Sequence, residues 1–156
     1  MKCKKLWNKE QSVKLAIFAA ELLISDFESV NQSDSRPRMA IDAAKGWLKN
    51  KIEPCENMTY SDWYEVDGIK KIMQAIDASG NALDDAELHR TYASLNNASM
   101  ETIGEYYRAR NAASVAMNAA QAAAEKTENG AAIYAGYACG VEGIAKKCRN
   151  FAIGLM

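Results

Sequence analysis

A single histidine serves all 156 residues, and the chain has only two prolines and four cysteines, with no C-x-x-C pair. Any Ser–His or Cys–His nucleophile would have to recruit His89, which sits in Leu88-His89-Arg90 on an expected short surface helix. A zinc site needs clustered thiolate and imidazole ligands. Cys3, Cys55, Cys139 and Cys148 are widely spaced, and the last two, nine apart on one expected helix, are too distant to share a metal. A protein this long builds its core without a disulfide framework, so buried or half-buried thiols are expected. The sequence also lacks a G-x-S-x-G turn, a glycine-rich phosphate loop, H-E-x-x-H and an EF-hand loop.

Charge of one sign is missing too. A net charge of -1 excludes general affinity for nucleic acid or an anionic membrane. The basic clusters (Lys2, Lys4 and Lys5; Lys70 and Lys71; Lys146, Lys147 and Arg149) are interleaved with acids and read as solvated faces. No long hydrophobic run occurs. Leu15 to Ile24 is about half of the roughly 20 residues that a membrane span needs, and it contains Glu21. Lys9, Glu10 and Lys14 separate it from the basic N-terminus, and no A-x-A cleavage site follows, so a soluble, cytoplasmic protein is expected.

What is abundant is alanine, 27 residues of it, with few β-branched or aromatic runs. That composition favours helix strongly over strand. Val13, Ile17, Ala20, Ile24 and Phe27 recur at steps of four and three, predicting a first helix over 9–30. Pro37 suits the first turn of a second helix, capped by Asp34 or Ser35, with Ala40, Ile41, Ala44, Trp47 and Leu48 facing inward. Thr59 and Asp62 form a capping box for a third helix with Trp63, Val66, Ile69, Met73 and Ile76 inward, closed by Gly80. Asn81 with Asp84 opens a shorter helix that stops at Asn96-Asn97. A long helix over 99–126 and, after Asn129-Gly130, a last one to about residue 151 complete a single all-α domain (1–156) of six helices.

The last two helices carry stripes of small residues: Ala109, Ala113, Ala116, Ala120 and Ala123 on one, Ala132, Gly136, Gly140 and Gly143 on the other. Small side chains let helix backbones approach below the usual 8–10 Å, which predicts a tight antiparallel αα-hairpin. Asn111, Asn118, Gln121 and Glu125 are assigned to its exposed faces.

Two acidic groups, Asp84-Asp85 with Glu87 and Glu101 with Glu105, have the chemistry for metal binding or acid–base work. Both fall in expected first turns, where the helix dipole already accounts for them. Tyr106, Tyr107, Arg108 and Arg110 combine residue types that are enriched at binding hot spots. Tyr106 and Arg110 share a helix face, and half of the cluster is expected in the core.

Charge is most concentrated in Asp34-Ser35-Arg36-Pro37-Arg38. Asp34 to Arg38 and Arg38 to Asp42 are four-residue spacings that suit ion pairs on one helix face. Asp26 or Glu21 is a further partner for Arg38. The expected arrangement is a network locking the first loop to the second helix, buried enough that breaking it would cost several kcal/mol. Gripping an acidic partner is the alternative.

Asp34, Arg36, Pro37, Arg38, Ala40, Ile41, Ala43 or Ala44, and Trp47 together resemble the Imm5-type family of bacterial immunity proteins, written D-x-R-P-R-x-A-I-x-A-A-R-x-W. Lys45 stands where that pattern has arginine. The resemblance implies a small all-α protein without catalysis, cofactor or metal, which binds a toxin partner and neutralises it. A phage-borne inhibitor of a host defence nuclease, in the manner of an anti-CRISPR protein, makes the same physical claim. A carboxylate- and metal-dependent helical enzyme is the competing class.

Overall fold

Seven helices occupy the described residues, 7–156, of the computed structural model: α1 (Lys9–Val30), α2 (Arg36–Asn50), α3 (Tyr60–Glu65), α4 (Asp67–Leu95), α5 (Met100–Ala124), α6 (Glu128–Cys139) and α7 (Ala145–Leu155). No strand occurs among them, so the protein is all-α as expected. Cys3 and the cluster of Lys2, Lys4 and Lys5 lie outside the described residues.

Helix α1 has the predicted bounds. Asn8 and Gln11 close a capping box at its start, and Val13, Ile17, Ala20, Ile24 and Phe27 are all buried. In α2, Pro37 occupies the first turn, Ala40, Ile41, Ala44 and Trp47 are buried, and Leu48 is half-buried. The helix ends at Lys51, which takes a left-handed φ of 46°. The Trp47 indole N–H donates to the Ile52 carbonyl (3.1 Å), fixing the backbone just past that turn.

Four boundaries differ from expectation. The Thr59–Asp62 capping box forms, but its helix stops after Glu65, and an extended Val66 separates α3 from α4. On a straight helix Trp63 and Ile69 would point about 120° apart. The break lets both be fully buried. Gly80 does not end a helix: α4 runs on for 29 residues. Its packing against α5, with Ser79 Oγ donating to the Ala113 carbonyl (3.2 Å), outweighs the roughly 1 kcal/mol that an interior glycine costs. Finally, α5 stops at Ala124, before Asn129-Gly130, because Thr127 caps α6 by accepting the Gly130 N–H (3.1 Å). The expected last helix is itself split at Gly140–Ile144, where Gly143 takes φ +90°, a conformation that L side chains rarely adopt.

Helix α5 is the centre of the molecule. It packs chiefly on α1 and α4, then on α2 and α6. From Ala109 onward it is buried on nearly every side, through Ala112, Ala113, Val115, Ala116, Ala119, Ala120, Ala122 and Ala123. A helix apolar all round belongs in a core. The alanine stripe is thus one part of a continuous methyl surface that serves four neighbours, which corrects the simple C-terminal hairpin. Asn118 is buried and Asn111, Gln121 and Glu125 are half-buried, so α5 has no exposed polar face along this stretch. Helix α6 turns Ala131, Ala135 and Ala138 inward, while Ala132, Gly136, Gly140 and Gly143 are exposed. The expected stripe from Ala132 to Gly143 therefore looks outward, and α6 packs through its other alanines.

Two buried tryptophan contacts close the core. Trp63 is fully buried and its indole N–H donates to the Ala124 carbonyl (2.6 Å), satisfying an orphan carbonyl at the C-terminus of α5. Trp47 fills the space beneath α2.

A Cβ at Gly80 would lie 3.6 Å from Met117 Sδ, an ordinary contact. Gly80→Ala is expected to raise stability by about 0.5–1 kcal/mol, since the helix is already formed and only unfolded-state entropy is lost. Chemical denaturation checks this, and a fall in stability would show that α4 is strained there.

Candidate functional site

The Asp34–Arg38 segment begins α2, and the two arginines on either side of Pro37 reach in different directions. Arg36 Nε and Nη2 donate to Asp34 Oδ1 and Oδ2 (2.9 and 2.7 Å), and Nη2 donates also to Asp85 Oδ2 on α4 (2.6 Å). Asp34 Oδ1 accepts the Arg36 backbone N–H as well (3.0 Å), so it supplies the cap oxygen that Ser35 does not. These bonds from Arg36 hold the Asp34 carboxyl below the usual carboxylate range. Arg38 makes a two-pronged contact with Glu28 on α1, Nε to Oε1 and Nη2 to Oε2 (both 2.9 Å), and Nη1 donates to Glu21 (3.1 Å). Lys45 also binds Glu21.

The motif therefore straps α2 to α1 and α4, as a structural network would. Its wiring differs from the expected one. Glu21 is a partner of Arg38 but Asp26 is not, Asp34 binds Arg36 instead of Arg38, and exposed Asp42 has no ion pair among the described residues. The network is also shallower than expected, with both arginine side chains 34% exposed. Pro37, by contrast, is fully buried.

The Tyr106–Arg110 cluster lies at the far end of the α4–α5 hairpin. No residue from Glu87 to Arg108 is fully buried, so more than two turns of each helix project beyond the core. Tyr106 and Arg110 are half-buried, while Tyr107 (48%) and Arg108 are exposed, so none of the four sits in the core. His89 lies on the long α4, exposed, with its ring edge-on to Tyr106 (centroids 5.6 Å). Both line a shallow depression of about 290 Å³ with Tyr92, Asn96 and Thr102. Glu87 holds Arg90 (2.7 Å) and, across the hairpin, Arg110 (3.3 Å). Around this frame Leu88, Tyr92, Leu95 (72%) and Met100 (81%) stand in solvent. The spacing 88, 92, 95 places three of them on one face of α4. Their exposure was hidden in the sequence, because the same spacing describes a core-facing stripe.

Asp84, Asp85 and Glu87 fall in the middle of α4, not in a first turn, whereas Glu101 does occupy the first turn of α5. Asp85 and Glu87 are engaged by arginines. No group of three His, Cys, Asp or Glu residues among the described residues is placed to hold a metal ion. Cys55 is exposed, contrary to the expected burial. Cys139 ends α6 and Cys148 lies in α7, and burial, with a hydrogen bond to the Cys148 thiol, pushes the Cys139 thiol up. The two are thus neighbours across a turn and not distant points on one helix.

One residue that sequence reasoning passed over is Lys9. In the first turn of α1 it is only 6% exposed, with Nζ 4.2 Å from the Trp47 ring centroid and 5.1 Å from that of Trp63. Nζ has no hydrogen-bond acceptor among the described residues. Burial lowers its pKa to about 8, against smaller raising effects of Glu53 and Glu125. A lysine in a polar first turn reads as solvated, and only the tertiary meeting of two tryptophans reveals otherwise.

No protein-family model, curated protein or solved structure matches this sequence.

Arg38→Ala is expected to cost about 1 kcal/mol, the scale of partly exposed pairs, since Glu28 and Glu21 regain water when the arginine is removed. Denaturant midpoints check this, and a loss of several kcal/mol would reinstate a buried network. Lys9→Met is expected to stabilise the protein at pH 7 by about 1–3 kcal/mol, since an unpaired buried ammonium is removed. The folded pKa lies below the unfolded one, so the wild-type protein gains stability as pH rises from about 8 toward 10.5 and the advantage of Met shrinks. Melting curves across that range test the sign.

Proposed function

We propose that this protein is a non-catalytic protein-binding inhibitor that neutralises a partner by stoichiometric contact, as an immunity protein does a toxin. The partner is a toxin or a defence nuclease, and the setting is the cytoplasm. The observation that carries this reading is the projecting α4–α5 tip. Leu88, Tyr92, Leu95, Met100 and Tyr107 are exposed around Arg108 and the Glu87–Arg110 pair.

Large apolar and aromatic side chains left in solvent on a rigid element are what a protein interface uses for anchors, with arginines and acids as the polar rim. The tip is held as a frame by hydrogen bonds that do not depend on a partner. Ser99 caps α5 by accepting the Thr102 N–H (3.1 Å), and the Asn96 side chain donates to the Tyr92 carbonyl (2.9 Å). Preorganisation of this kind lowers the ordering cost of binding. Among the described residues no helix is long and apolar enough to cross a membrane, which leaves these side chains without a bilayer-spanning role.

The Asp34–Trp47 motif supports this reading through the resemblance alone. Its arginines are engaged within the fold, so the contacting surface is assigned to the tip.

The tagged protein expressed in its native cell is expected to retain one protein partner at near-stoichiometric yield. The double substitution Leu95→Glu, Tyr107→Ala is expected to lose that partner with the melting temperature unchanged. Recovery of no stable partner, or retention by the double variant, would overturn the assignment.

A further inference from the structure

Two depressions between α4 and α5, of about 80 and 420 Å³, adjoin at Ile76. Together they form a groove whose floor is Met73, Ile76, Leu83 and Met117. Met73, Leu83 and Met117 are half-buried, so part of each side chain reaches solvent. Asp77 and Asp84 stand exposed on the wall, and neither has an ion pair among the described residues. Glu125 closes the far end, and among the described residues no lysine or arginine lines the groove.

Helix α7 carries the opposite pattern. Its inner face is fixed on α1 by the stacked rings of Phe18 and Phe151 (centroids 4.1 Å) and by Gln11 Nε2 donating to the Leu155 carbonyl (2.7 Å). Lys146, Arg149, Ile153 and Met156 recur at steps of three and four, which places them on its outer face. All four are exposed, Ile153 at 59% and Met156 at 82%. Helix α7 contains no acid, and Lys146, Lys147 and Arg149 have no ion pair among the described residues.

We propose that α7 of one copy docks in the α4–α5 groove of a second copy, with Lys146 and Arg149 on Asp84 and Asp77 and with Ile153 and Met156 against the apolar floor around Met73.

The register follows from lengths. From Asp84 back to Met73, α4 rises about 16 Å, and from Lys146 to Met156, α7 rises about 15 Å. Laid antiparallel to α4, α7 sets its basic end on the acidic end of the groove and its apolar end over Ile76 and Met73. The reverse direction would place both cations over that apolar floor and Ile153 beside Asp84. Charges that lack a partner within one chain are thus paired between two. Methionines suit such a floor, since the flexible thioether side chain adapts to an incoming surface.

The two patches are unlike and lie on different helices, so the contact is heterologous and grows head to tail. One helix of 11 residues covers less than a standard interface, so association is weak and sensitive to salt. The contact is independent of the α4–α5 tip, and its loss leaves the assignment made there untouched.

Sedimentation velocity of the purified full chain tests this, from about 10 μM to about 1 mM, the range of weak contacts. Mass is expected to rise with concentration past that of a dimer. Association is expected to weaken severalfold in about 1 M salt, where the screening length is about 3 Å. A groove variant, Asp77→Lys with Asp84→Lys, is expected to weaken it at least about tenfold. A helix variant, Lys146→Gln and Arg149→Gln with Ile153→Ser, is expected to do the same. Melting temperatures should hold in both, because all five side chains are exposed and away from the core. Mixed together, the two variants are expected to form a complex of two chains and no larger, since one keeps an intact α7 and the other an intact groove. Lys49→Gln, exposed on α2, is expected to leave association unchanged. A monomer at every concentration, full association of either variant, or no complex in the mixture would overturn the proposal.

Discussion

The structure depends on the near-complete enclosure of one helix by its neighbours. From Ala109 to Ala124, α5 presents mainly methyl groups to α1, α2, α4 and α6. A side chain that small buries little area by itself. What it provides is proximity, since neighbouring helices come close enough for dispersion between backbones and side chains to accumulate. Larger residues come from the surrounding helices: Phe27 and Ile24 from α1, Ile41 and Trp47 from α2, Trp63 from α3, Ile69 and Ile72 from α4. The core thus alternates a smooth axis with a rough sheath, which is how close packing is reached without overpacking.

That axis fixes what its neighbours must do. Because α5 ends buried at Ala124, its last carbonyls need partners from elsewhere, and the Trp63 indole supplies one. Because α3 must place Trp63 there while α4 turns Ile69 inward, the helix breaks at Val66. The outer helices are then held by polar straps at the surface. Arg36 ties α2 to α4, and Arg38 ties α2 to α1. The single proline between them sets the direction from which both arginines depart. Buried Lys9 is a by-product of the same arrangement, caught where Trp47 and Trp63 come together.

The sequence made the helical class, the bounds of α1, the capping of α2 and α3 and the stop at Leu95 legible, because each rests on local signals: periodicity, a proline, a cap, an Asn pair. Boundaries set by tertiary packing were not. Gly80 looks like a helix end until α5 is laid beside it, and Gly143 looks like part of a small-residue stripe until its φ is seen. The arginine motif was recognisable as a strap and Glu21 as one partner of Arg38, but Glu28 and Asp85, 10 and 49 residues away from the arginines they bind, were not. Tyr106 to Arg110 stood out by residue type. The exposed Leu95 and Met100 beside them did not, because one helical period describes equally a face turned toward a core and a face left bare.

The α4–α5 hairpin leaves the core after Ala86 and rejoins it at Ala109. None of the side chains between those two points is fully buried, so the exposed ones among them can change without opening a cavity inside the bundle. The alanine axis tolerates almost no substitution, and the tip tolerates many. Folding and recognition are therefore written in separate stretches of one pair of helices, and the surface that meets the outside can diversify while the scaffold that presents it stays the same.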